Sequence, residues 1–163
     1  MKQLAALALA LGLTFGAPLR AAEIVVGLGP SSYGFSGGRN SAVLALELRG
    51  PGIGRLGRAD VAPMLVIDRH SLGDSFVGVG LAARWQLRQG WFVDAGVAPG
   101  AYHAAVPAND LGGRLEFRSH LAVGRDLGRR QAISLAITHK SNAGTGRINP
   151  GMNGVLLRWH HGF

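Results

Sequence analysis

The chain of 163 residues contains no cysteine. Small exported domains often rely on disulfides to supplement a limited core, so this chain must be stabilised in another way. Carboxylates are scarce, 9 against 17 lysines and arginines, giving a net charge of +8. Beyond the N-terminus no run approaches the roughly 18 apolar residues of a membrane-spanning helix. There is no H-E-x-x-H, no cysteine cluster and no carboxylate-rich calcium loop, so the usual sequence support for a metal site is missing. No cofactor is implied. Nucleic acid is a poor partner for a chain without an aromatic-studded basic strand, whereas an anionic lipid surface suits the surplus of arginine.

The first residues, Met1 to Ala22, combine one lysine, an apolar run from Leu4 to Leu13 and small residues near Ala17 to Ala22. That is the layout of a secretory signal peptide. Residues 1–22 are therefore expected to be a leader and 23–163 a single domain. Removal of Lys2 and Arg20 with the leader lowers the charge from +8 to +6.

Twenty-six glycines and few helix-period patterns point to an all-β chain. Turn signals divide it into eight strand candidates: one from Glu23 through Val26, then about 41–49, 58–68, 75–88, 91–103, 113–125, 131–141 and 153–163. Pro63 and Pro99 are weak points in the third and fifth. In the fourth, Val77, Val79, Leu81, Ala83, Trp85 and Leu87 share one face and Gly78, Gly80, Ala82, Arg84, Gln86 and Arg88 the other. In the sixth, Leu115, Phe117, Ser119, Leu121 and Val123 oppose Arg114, Glu116, Arg118 and His120. Charges of both signs on one face and apolar residues on the other invert a soluble sandwich and match a small transmembrane barrel. The expected fold is an eight-stranded antiparallel β-barrel of the bacterial outer-membrane type, closed so that no edge is left exposed. Trp85, Trp91 and Trp159 are candidates for an interfacial girdle, and the chain ends on Phe163, as such barrels typically end on an aromatic residue.

Two motifs lack the context they need. Gly52 to Gly57 matches G-x-G-x-x-G but no helix follows it. Gly34 to Gly38 matches G-x-S-x-G, yet no strand-to-helix turn surrounds Ser36, which reads as a loop residue. His70, His103, His120 and His160 stand alone and read as structural or solvated.

The seventh candidate carries the chemistry. Ile133, Leu135, Ile137, His139 and Ser141 share its apolar face, so an imidazole and a hydroxyl would look out toward lipid near the edge of the hydrocarbon band. A hydroxyl attacks an ester poorly until a base takes its proton. Same-face neighbours, roughly 7 Å apart at Cα, approach hydrogen-bond reach if the backbone bends.

The segment His139-Lys140-Ser141-Asn142-Ala143-Gly144, followed by Asn149-Pro150-Gly151, resembles the active-site signature of the PagL-type lipid A 3-O-deacylases. The resemblance implies an outer-membrane serine esterase acting on the 3-position acyl chain of lipid A, with Ser141 as nucleophile and His139 as base. Asn142, Gly144 and Asn149 become candidate oxyanion or substrate contacts by position. Lys140, Arg147 and Arg158 become candidate partners for the phosphates of lipopolysaccharide. The family's orienting glutamate lies twelve residues after the serine, where this chain has Asn153. Asn153 then takes the orienting place, with Asp110 or Glu116 as helpers if an amide is not enough, although alternation turns Glu116 inward. A homodimer stays open, as do an inactive relative, a non-catalytic structural or adhesive outer-membrane barrel, and a soluble lipid-binding β-barrel.

Overall fold

The structure, a computed structural model, describes residues 22–34 and 37–163. The expected leader, apart from Ala22, and Ser36 lie outside the described residues. Among the described residues nine strands form one antiparallel sheet: β1 (Glu23–Tyr33), β2 (Ser41–Arg49), β3 (Gly54–Leu56), β4 (Ala59–His70), β5 (Ser75–Gln86), β6 (Trp91–His103), β7 (Leu115–Gly128), β8 (Gln131–Ser141) and β9 (Met152–Gly162). β1 pairs with both β2 and β9, and β2 pairs with β4. Eight strands therefore close into a barrel, and β3 is a short flap paired only to β4. Closure gives every wall strand two neighbours, the condition for a sheet to stand in hydrocarbon.

Alternation decides which way each side chain points. Leu28, Leu121 and Leu157 face outward at 61%, 50% and 64% exposure, while Glu47, Arg118 and Arg158 face inward at 1% each. A belt of exposed Leu, Val and Ile surrounds the wall, as a lipid-facing barrel requires. Inside, charge meets charge. Arg49 donates to Asp94 at 2.6 Å and to Glu47 at 2.8 Å. Arg158 and Arg118 also reach Glu47, at 2.9 and 3.1 Å. Arg118 and Lys140 share Asp68, at 3.0 and 2.6 Å. Arg84 binds Glu23 at 2.9 Å. Pairing of this kind offsets the cost of burying these charges. Among the lone histidines, His70, His120 and His160 all lie inside with hydrogen-bond partners, in keeping with a structural role.

Both proline weak points sit inside continuous strands. The β2–β4 ladder ends at Arg49↔Met64, so Pro63 lies just past it and loses no ladder donor, and its carbonyl accepts Gly50 N–H at 2.9 Å. Pro99 pairs with Phe117 on β7, but the β5–β6 ladder skips it, resuming at Leu81↔Val97. Pro30 behaves likewise between β1 and β9. At each skip a glycine, Gly29 or Gly80, lies so close to the neighbouring strand that a Cβ would collide with backbone carbonyl oxygen.

The start of β1 and the end of β9 lie at one end, where Phe163 N–H donates to Ala22 O at 3.0 Å. That end has the tight connections at 87–90 and 129–130 and carries Trp85, Trp91 and Trp159. The opposite end carries Gly34 and the segments 37–40, 71–74, 104–114 and 142–151. Short turns on the periplasmic side and longer loops outside are the rule for such barrels. Asp74, fully buried, ties the outer end together. It accepts hydrogen bonds from Tyr33 Oη at 2.9 Å, Asn109 Nδ2 at 2.6 Å, and the amides of Ala105 and Val106 at 2.8 and 3.2 Å. Burial pushes its carboxyl up, but these donors more than offset that and hold it below the usual carboxylate range.

Candidate active site

β8 ends on Ser141 and β9 begins at Met152, joined by the loop 142–151 at the outer end. The antiparallel register sets His139 directly opposite Asn153. Both side chains are exposed on the outer wall, and His139 Nδ1 lies 2.8 Å from Asn153 Oδ1. With the amide oxygen as acceptor, Nδ1 carries the proton and Nε2 keeps its lone pair. Ser141 shares the outward face and is half-buried. No hydrogen bond joins Ser141 to His139 among the described residues.

Gly151 explains the Asn-Pro-Gly segment. It has φ +68, which an L side chain rarely adopts, and a Cβ there would sit 3.1 Å from His139 Cε1. Glycine at this position leaves room for the imidazole.

Asn142 proves to be a buried organiser of the loop. Its Nδ2 donates to Leu111 O at 2.9 Å and Ile148 O at 2.6 Å, and its Oδ1 accepts Gly144 N–H at 2.9 Å. Its own N–H donates to Asn149 Oδ1 at 3.1 Å. The donors of Asn142 and the amide of Gly144 are thus already engaged, whereas the Asn149 side-chain amide has no acceptor among the described residues. The Asn142–Gly144 contact is an Asx-turn, a signal present in Asn-Ala-Gly itself.

The phosphate-partner assignments of Lys140 and Arg158 need correction. Both side chains point into the barrel, Lys140 to Asp68 and to His70 Nε2 at 3.2 Å, and Arg158 to Glu47 and Asp94. Arg147 is exposed on the outer loop. Neither helper carboxylate reaches the site. Asp110 accepts Gly112 N–H at 2.9 Å, and Glu116 is fully buried inside the barrel, with both oxygens lacking a partner among the described residues.

A polar row crosses the outer wall at this level. Ser119 on β7 is in register with His139, and Ser32 on β1 with Asn153. Toward the hydrocarbon belt, a groove of about 370 Å³ runs past Ser119, Leu121, Ile137, His139, Asn153 and Val155. A second, of about 610 Å³, lies on the other side of Asn153 and reaches Pro30, Ser32, Asn40 and Ala42.

These features define a class: a lipid-embedded outer-membrane β-barrel with a histidine-centred polar site on its outer wall. The family model for lipid A 3-O-deacylase (PagL) matches residues 31–161, and the chain belongs to that family. It is similar to the crystal structure of the outer membrane enzyme PagL, with 16% identity and a TM-score of 0.67, over 87% of this chain and 100% of that one. It is also similar to Neisserial surface protein A (NspA), with 12% identity and a TM-score of 0.57, over 86% and 95%. A de novo designed transmembrane β-barrel matches at 6% identity and a TM-score of 0.56, over 88% and 98%. No curated protein sequence matches the chain. The family and the barrel place the protein in the bacterial outer membrane.

Proposed function

We propose that the protein is a serine esterase that hydrolyses the ester-linked 3-position acyl chain of lipid A. The contact between His139 Nδ1 and Asn153 Oδ1 carries this reading, because it leaves Nε2 free to accept a proton on the lipid-facing side of the wall. Ser141 then loses its hydroxyl proton to His139 as its Oγ bonds to the ester carbonyl carbon. The carbonyl electrons collect on oxygen, where the Asn149 side-chain amide is the candidate donor. Collapse expels the sugar hydroxyl, which takes the proton from His139, and leaves an acyl-serine. Water, deprotonated by the same histidine, releases the fatty acid. The Ser141 and His139 side chains approach each other only as substrate binds, since hydrogen bonds of this kind often tighten in the bound complex. Apolar walls beside His139 suit an acyl chain, and exposed Arg147 suits a headgroup phosphate.

The test is mass spectrometry of lipid A after incubation with the refolded protein in detergent. Loss of one 3-hydroxyacyl chain is expected, with that loss abolished in Ser141→Ala. Wild-type turnover in the alanine variant would remove Ser141 from its role, and an unchanged lipid A with wild type would favour an inactive relative.

A further inference from the structure

The turn between β7 and β8, at the end where β1 starts and β9 finishes, is built against its own backbone preference. Gly128 pairs with Gln131, leaving Arg129 and Arg130 as the two turn residues, with φ of 50 and 62. Two-residue hairpin turns with both central residues at positive φ favour Asn-Gly, because larger L residues are strained there. Here two consecutive arginines occupy those positions. Their placement is fixed: Gly162 N–H of the last strand donates to Arg130 O at 2.8 Å, and the ladder shifts register beside Leu127.

The side chains explain what the strain retains. The lumen arginines Arg49, Arg84, Arg118 and Arg158 all have carboxylate partners, and on the flap Arg55 pairs with Asp60 at 2.8 Å. Arg129 and Arg130 are exposed and have no ion pair among the described residues. Next to them Arg125 lies 5.6 Å over the ring of Trp91, and Arg88 is exposed on the adjoining turn, with Asp126 the one carboxylate of this group. Leu127 is 56% exposed among these charges. Arginines above a tryptophan and an exposed leucine form an amphipathic tip at the boundary between headgroups and acyl chains.

We propose that this tip binds the phosphates of anionic phospholipids in the periplasmic leaflet. A planar guanidinium matches a phosphate bidentately, and strained residues persist where their side chains have work to do. The site lies at the opposite end of the barrel from His139 and does not depend on the deacylase reading.

The experiment compares wild type, R129N/R130G and R129Q/R130Q in nanodiscs of phosphatidylcholine, with and without phosphatidylglycerol. Thermal midpoints are read from the heat-dependent gel mobility of the barrel. Wild type should melt higher in phosphatidylglycerol, and 1 M salt, where the screening length is about 3 Å, should erase that rise. R129N/R130G should melt no lower than wild type in phosphatidylcholine, since Asn-Gly suits the turn, yet lose at least half of the rise. R129Q/R130Q keeps the strain without the charge and should lose it too. An equal rise in all three proteins, a rise that survives salt, or one retained by the glutamine variant would overturn the proposal. So would a rise reproduced on phosphatidylcholine discs by dissolved glycerol phosphate.

Discussion

Asn153→Asp is the sharpest probe of the site. The replacement is isosteric, so it exchanges Nδ2 for oxygen and leaves the 2.8 Å contact to His139 Nδ1 in place. Two consequences follow. The amide offers a donor as well as an acceptor, so a flip of Asn153 would put Nδ2 against Nδ1, move the ring proton to Nε2 and disable the base. A carboxylate accepts from either oxygen and removes that unproductive tautomer. It also stabilises the imidazolium that forms as Ser141 attacks. With charge centres about 4 Å apart, the attraction is about 1 kcal/mol in water and about 4 kcal/mol at an effective dielectric of 20. Both residues are exposed, at the edge of the hydrocarbon belt, so the value falls between these limits. At 1.36 kcal/mol per tenfold, a rise of about 10- to 100-fold in kcat is expected. A burial-dominated serine-protease triad shows a larger effect, about 10⁴, for the reverse change. The assay is the initial rate of fatty-acid release from lipid A in mixed micelles, with Ser141→Ala as blank and heat-modifiable migration as the folding control. Equal or lower kcat in a folded Asn153→Asp protein would refute the orienting role and show a site adapted to the amide. Asn153→Glu, one methylene longer, should give a smaller gain because its carboxylate must fold back to reach Nδ1.

Lys140→Met should lower stability and activity together. Lys140 sits between His139 and Ser141 in the chain but on the inner face, held by Asp68, so its loss frees the end of β8. Breaking a buried pair costs about 3–5 kcal/mol, and retention of the Arg118–Asp68 bond at 3.0 Å places the expected loss at the lower end. Urea unfolding reads the stability, and a fall in kcat exceeding any rise in KM separates positioning from binding. Asp74→Ala removes the acceptor shared by four donors at the outer cap, of which Tyr33 Oη keeps Tyr102 Oη at 3.1 Å and Asn109 Nδ2 keeps Arg39 O at 3.3 Å, for a loss of about 2–4 kcal/mol, read as faster proteolysis within 104–114. Acid should mimic it. Because the folded carboxyl lies below its ordinary value of 3.8, its contribution is complete above that value and disappears as pH falls through the folded one. Hydrogen-exchange protection factors across 104–114 should therefore be unchanged between pH 7 and 5 and decline only below about pH 4. A decline already complete at pH 5 would contradict this account.

Alternation made the barrel readable from sequence because each face is uniform. The segments 41–49, 91–103 and 131–141 have the observed strand ends, and the inward turn of Glu116 follows from parity alone. The flap strand β3, Gly54-Arg55-Leu56, follows directly on Gly50-Pro51-Gly52-Ile53, whose turn chemistry masks a three-residue pairing. Parity also points Lys140 and Arg158 inward, but it cannot name Asp68 or Glu47 as partners, since those lie on strands far away in the chain. The His139–Asn153 contact was accessible because hairpin neighbours are local, whereas the Asp74 cap joins the segments 71–74 and 104–114 to the end of β1 and leaves no periodic trace.

The interlocked guanidinium and carboxylate groups have a physiological corollary. Glu47, Asp94, Arg49, Arg118 and Arg158 occupy the space that in a porin would hold water, and each is bound to its neighbours. A solute trying to cross would have to break several ion pairs at once. A cell can therefore carry many copies of this barrel without opening a leak in its permeability barrier.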